Sequence, residues 1–171
     1  YTYQWISGYN TSTVTINPSK DNTIYQETQT NSNGMGPHMV AGNNGSGFAG
    51  RALMAFDIAA ALPANAIVNS ASLQLNCSQA NPGSGAQVQS LHNLSQNWGE
   101  GTSVAGGAGA GAPATLNDAT WIKSFFPGTD WITAGGSFNV ASSASTTVNT
   151  TGFYTWTSPQ MSADVQSWLN N

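Results

Sequence analysis

The chain has 171 residues, 39% of them apolar and 10% aromatic, a length that suits one domain burying roughly 70% of the surface its unfolded form exposes. Only 6% of residues are charged, with three Lys and Arg against seven Asp and Glu, whereas ordinary globular domains carry about 25%; six Trp, six Phe and five Tyr still exclude a disordered chain. A net charge of −4 offers no cationic footprint to nucleic acid or anionic lipid, and no apolar run reaches the roughly 18 residues of a membrane-spanning helix.

Taken from the N-terminus, the chain opens at Tyr1 without an initiator Met or a leader-like segment, which reads as an exported chain whose leader is gone or as a piece of a longer protein. Tyr1, Tyr3 and Trp5 alternate, which predicts a strand within an extension covering residues 1–20. Residues 31–50 form a long loop with Met35, His38, Met39 and Phe48 embedded in it. Ala52, Met54, Phe56 and Ile58 then alternate with Arg51, Leu53, Ala55 and Asp57, a strand that precedes a turn at Leu62-Pro63-Ala64-Asn65. Ala71, Leu73, Leu75 and the single cysteine, Cys77, share one face of the next strand. A lone thiol forms no intrachain disulfide, so Cys77 is read as a small buried apolar residue.

Residues 99–113 are so rich in Gly and Ala that a long surface loop is expected. Asn117 to Trp121 suits the cap of a short helix carrying Trp121, Ile122 and Phe125. Phe138 and Val140 pair on one strand face and Tyr154 and Trp156 on another, flanking a polar stretch, 141–151, that reads as strand or loop. Ser158-Pro159 is an N-cap followed by a first-position proline, and Met161, Val165, Trp168 and Leu169 make one apolar stripe of a closing helix. Short alternating runs separated by Gly, Pro and Asn define an all-β, antiparallel sandwich with a short C-terminal helix and long Gly-rich loops, in a single domain spanning 1–171.

Chemistry is sparse. The signatures of serine hydrolases, zinc peptidases and phosphate-binding loops are absent. Glu100, beside Trp98, is the first carboxylate to consider for glycosidase chemistry, with loop bonding or cation binding as its plainer role. Trp98, Trp121 and Trp131 are the candidate sugar platforms, because an aromatic ring covers the C–H face of a pyranose; Trp156 and Trp168 read as core. Asp21, Asp57 and Asp164, with Asp118 and Asp130, supply the hard oxygens of a calcium site. His38, Met39 and His92 form a softer alternative for copper. Calcium is the one cofactor expected.

Read together, Asp21-Asn22-Thr23-Ile24-Tyr25, Arg51-Ala52-Leu53-Met54-Ala55-Phe56-Asp57, Trp98-Gly99-Glu100-Gly101-Thr102, Asp118-Ala119-Thr120-Trp121 and Asp164-Val165-Gln166-Ser167-Trp168-Leu169 resemble, in this order, the DNRLRE-domain proteins of bacteria. The resemblance covers about residues 21–171. It implies a secreted, jelly-roll-like β-sandwich related to alginate-type carbohydrate-binding modules, with no catalytic activity. Members usually continue past the last of these motifs, and residues 1–20 have no counterpart in them. The extension could fill an open sheet edge in its own chain or in a neighbouring copy.

Three functions follow as expectations: an extracellular or cell-surface module for polysaccharide binding or adhesion; a subunit of a filament or surface layer assembled by N-terminal strand donation; and a metal-handling protein or glycan-active enzyme. The expected partners are a polysaccharide or other copies of the chain, with no nucleic acid and no membrane insertion.

Overall fold

A computed structural model describes residues 11–106 and 109–170. The alternation at Tyr1, Tyr3 and Trp5 therefore lies outside the described residues, and the rest of the extension, 11–18, is irregular and almost wholly exposed. The elements run β1 (Lys20–Tyr25), β2 (Asn31–Ser32), β3 (Gly42–Asn43), β4 (Ala49–Ala55), α1 (Ile58–Ala61), β5 (Ser72–Cys77), a 3-10 turn at Pro82–Ser84, β6 (Gln87–Leu94), β7 (Ala112–Pro113), β8 (Lys123–Phe125), β9 (Thr129–Asp130), β10 (Phe138–Val148), β11 (Gly152–Thr157) and α2 (Pro159–Asn170). The protein is all-β: among the described residues every strand pairing is antiparallel, the sheets are small, and α2 is the one helix longer than a single turn. Among the described residues no helix is long and apolar enough to cross a membrane.

Strand β4 is the centre of a β1-β4-β3 sheet. Its alternation resolves in favour of the face carrying Leu53, which pairs with Asn22 of β1 and joins Ile24, Trp98, Ala119, Trp121 and Trp131 in the core. The run does not continue to Ile58 as a strand. Asp57 Oδ1 accepts the Ala60 amide at 3.1 Å and caps α1 instead, the competing use of a short acidic side chain next to a backbone amide.

The second half is built from two ribbons, β6 with β10 and β5 with β11. The indole of Trp156 on β11 donates to Gln89 O of β6 at 2.8 Å, tying one ribbon to the other through a buried ring. Residues 141–148 are strand, and Leu73, Leu75 and Cys77 share the less exposed face of β5 as alternation requires. Phe138 and Val140 do not act as a pair. The register slips between Phe138 and Ser142, and this bulge throws Val140 out to 90% exposure.

No helix forms over 117–125. Asp118 turns its Oδ2 back to the Thr115 amide and hydroxyl rather than forward along a helix. The backbone of this stretch then bonds to its neighbours, Ala119 N to Gly99 O at 2.8 Å and Gly99 N to Ser124 O at 2.9 Å. The start of the expected surface loop is correspondingly packed inward: Gly99 and Ser103 are buried and Glu100 and Gly101 half-buried, with Thr102 left exposed.

At the C-terminus Ser158 Oγ accepts the Met161 amide at 3.0 Å, and Leu169 is buried on the inner side of α2. Replacing Ser158 with Ala should remove this cap and cost about 1 kcal/mol, lowering the melting temperature by roughly 2–4 °C in a thermal scan followed by circular dichroism. Leu53→Ala should cost about 2–5 kcal/mol in a urea titration, because the surrounding rings cannot collapse into the space.

Candidate functional site

The loop that leaves β6 at Ser95 crosses the start of β1, and polar side chains fix it there. Gln96 binds the loop to residues 130–137: its Nε2 donates to Asp130 O at 2.8 Å, and its Oε1 accepts from Ile132 N at 2.9 Å and Ser137 Oγ at 3.0 Å. Asn97 Oδ1 accepts from the Trp98 amide and from Lys20 Nζ, both at 2.9 Å. Lys20 Nζ also donates to Trp98 O and stands 4.4 Å from the centre of the Trp98 ring. One residue along β1, the Asp21 amide donates to Glu100 Oε1 at 2.9 Å. Next, Asn22 Nδ2 donates to Glu100 O at 2.7 Å. Burial holds the Lys20 ammonium below the ordinary lysine value of 10.5, with the Glu100 carboxylate opposing the shift. Burial, followed by the like charge of Glu100, raises Asp21 above the ordinary 3.8.

Beneath this layer the buried Asp118 carboxylate fills the space between two glycines. Its Oδ1 has no polar partner, and a Cβ would stand 1.9 Å from it at Gly101 and 2.8 Å at Gly34. Both glycines are needed: at Gly101 a Cβ would strike that oxygen, and at Gly34 it would first strike Glu100 O, at 1.8 Å.

Above the layer lies an open groove of about 390 Å³, whose lining includes Lys20, Phe56, His92, Asn93, Asn97 and Trp168. The Trp168 ring, on the last turn of α2, is 39% exposed. His92 is held by ring contact with Phe138 at 5.1 Å and by an Nδ1 to Asn139 O distance of 2.9 Å. Trp168 belongs to the groove rather than to the core, a role its helical stripe conceals. Trp168 and Leu169 are adjacent and so point about 100° apart on the helix, and Leu169 takes the inward position.

The expected platforms sit elsewhere. Trp98, Trp121 and Trp131 are 3%, 7% and 5% exposed and are core residues. Only Trp98 also reaches the groove, as part of its floor. Trp121 stacks under Arg51, whose guanidinium centre lies 4.8 Å from its ring and 5.1 Å from that of Phe138, and Trp131 donates its indole N–H to Thr120 O at 2.8 Å. Glu100 serves the Asp21 amide. Asp57 caps α1, and Asp164 on α2 accepts from Ser143 Oγ and from Gln160 Nε2. His92 lies in the groove, and His38 and Met39 lie in the segment between β2 and β3, where His38 O accepts from Asn33 Nδ2 at 2.7 Å. Among the described residues no three His, Cys, Asp or Glu side chains gather as a metal-holding group. Lys20, Gln96 and Asn97 were not singled out by the sequence, since single polar residues next to strands carry no periodic signal.

Comparison with protein-family models, curated proteins and solved structures returns no match to this chain.

Two outcomes test this geometry. Gly101→Ala, at φ +67 and with Asp118 Oδ1 in the way, should prevent folding or cost several kcal/mol, whereas Gly45→Ala, which meets nothing within 4 Å, should leave the melting temperature within a degree or two. Asp21 has its folded-state value raised, so its charged form is disfavoured in the fold and its contribution to stability falls as pH rises past 3.8. Asp21→Asn should therefore raise the melting temperature at pH 7, and the gain should vanish below pH 3.8.

Proposed function

We propose that this chain is a non-catalytic extracellular module that binds polysaccharide, or adheres through it, along the groove edged by Trp168. The same reading takes the two ribbons as part of a jelly-roll-like sandwich of the kind the resemblance to DNRLRE-domain proteins implies. The observation that carries it is the composition of the groove: one half-exposed indole on a rigid helix, next to the side-chain amides of Asn93 and Asn97, the His92 ring and the Lys20 ammonium. An indole face suits the C–H face of a sugar ring, and amides, imidazole and ammonium suit its hydroxyls.

Affinity gels or a glycan array run with the full chain should show retention by at least one polysaccharide. Trp168→Ala should weaken it roughly tenfold or more, as loss of a central aromatic contact does. Phe153→Ala, an exposed aromatic at 72% that is not part of the groove, should have no effect. Unchanged binding in Trp168→Ala would remove the groove from consideration.

A filament subunit is the second reading, and one observation favours it. Among the described residues β5, β6, β10 and β11 are paired only two by two, so each has an edge open to a further strand. Size-exclusion chromatography and negative-stain microscopy should then show fibres that disappear when residues 1–18 are deleted; a monomer at high concentration would refute strand donation.

A further inference from the structure

We infer that Lys20 and Asn97 are poised to join covalently, as an amide between their side chains that clasps β1 to the loop after β6. Both side chains also line the groove, and closure of the amide leaves Trp168, His92 and Asn93 as its aromatic and polar groups, so cross-linking and glycan retention are read separately. Three features carry it. First, the nucleophile is in place: Nζ stands 2.9 Å from Asn97 Oδ1, hence no more than about 4 Å from Cγ given a C=O length near 1.23 Å. Nζ is confined there by the Trp98 ring at 4.4 Å and by Trp98 O. Second, the electrophile is polarised. The Trp98 amide donates to the same Oδ1 at 2.9 Å, where negative charge develops when a nucleophile adds to Cγ, which is the role of an oxyanion donor. Third, a proton carrier is adjacent. Glu100 lies on the same loop, is fixed by the Asp21 amide next to Lys20 in the chain, and interacts electrostatically with Lys20.

The amine must be uncharged to attack, and burial already moves Lys20 in that direction. Glu100 takes the proton from Nζ. The Nζ lone pair adds to Cγ, and the resulting oxyanion on Oδ1 is held by the Trp98 N–H. Nζ, which carries two protons once bonded to Cγ, passes one to Nδ2, the Cγ–Nδ2 bond breaks, and the departing ammonia takes up the proton held by Glu100 and leaves as ammonium. One C–N bond forms and one breaks, with no change in oxidation state, so no oxidant, cofactor or metal is consumed. The product is a cross-link between positions 77 residues apart, and it shortens the accessible unfolded chain as a disulfide would in a protein whose single thiol cannot form one within its chain.

Intact-mass measurement of the purified full chain tests this. Loss of ammonia makes the protein about 17 Da lighter than its composition, and a protease digest should contain one branched peptide joining the segment of Lys20 to that of Asn97. Lys20→Arg and Asn97→Ala should each restore the full mass expected for the variant and melt roughly 10 °C lower. Glu100→Gln, which keeps the acceptor for the Asp21 amide, should leave most of the chain at full mass. An unmodified wild-type mass after prolonged incubation overturns the inference. So does a deficit that persists in Lys20→Arg, because Asn33-Gly34 or Asn44-Gly45 would then be losing ammonia by succinimide formation. Should a variant fail to fold, the branched peptide from wild-type protein, present or absent, decides alone.

Discussion

The arrangement of loops around the first sheet depends on the side-chain amide of Asn22, which is completely buried in the middle of a strand. Its Nδ2 holds Glu100 O at 2.7 Å, and its Oδ1 accepts the Asn33 amide at 3.1 Å. The Ser32 hydroxyl stands 2.8 Å from the same Oδ1 and 2.7 Å from Ala119 O, and can give its one proton to either. One amide thus draws together β1, β2, the loop after β6 and the segment before β8. Removing a partner would leave several buried groups unpaired, each at about 1–3 kcal/mol. Thr23, Ser32, Asp118, Thr120 and Ser124 are also fully buried, so this half of the protein is specified by directional bonds as much as by apolar contact. Such a core holds long, poorly periodic loops in one conformation, which hydrophobic burial alone does not do.

The elements legible in the sequence were those whose signal is local. Ser158-Pro159 and the stripe after it define α2, and alternation defines β5 and the inward face of Trp156. What was not legible depends on partners far along the chain. Asp118 looks like a helix cap until Gly99 is known to compete for the neighbouring backbone, and Asp57 looks like the end of a strand until its carboxylate reaches the Ala60 amide. The tryptophans mislead for a related reason. Trp98 follows a strand and precedes Gly-Glu-Gly, which reads as an exposed loop, but the bonds from Lys20, Asn22 and Asp21 pull that loop inward and bury the ring.

For the candidate site the outcome was mixed in the same sense. Glu100 lies beside Trp98 in the loop, as its sequence neighbours suggested, but the loop packs against β1 and the carboxylate serves a backbone amide. Trp168 was hidden by the helical stripe it shares with Leu169. The groove itself brings together side chains from β1, β6, the following loop and α2, a convergence set by topology that no spacing along the chain encodes.

The three cationic side chains have a further consequence. Lys20 is clasped by Asn97 and Trp98, Arg51 lies against two rings and donates to Gly135 O, and Lys123 meets Asp130 at 2.6 Å. Each Lys and Arg side chain is therefore committed to holding one part of the chain to another, and the exterior of the described residues is left with a thin scatter of carboxylates among amides and hydroxyls. Such a surface presents no cationic region to complement the acidic groups of an identical molecule. Crowded copies meet through hydrogen bonds and isolated apolar side chains, and added salt has little attraction to weaken.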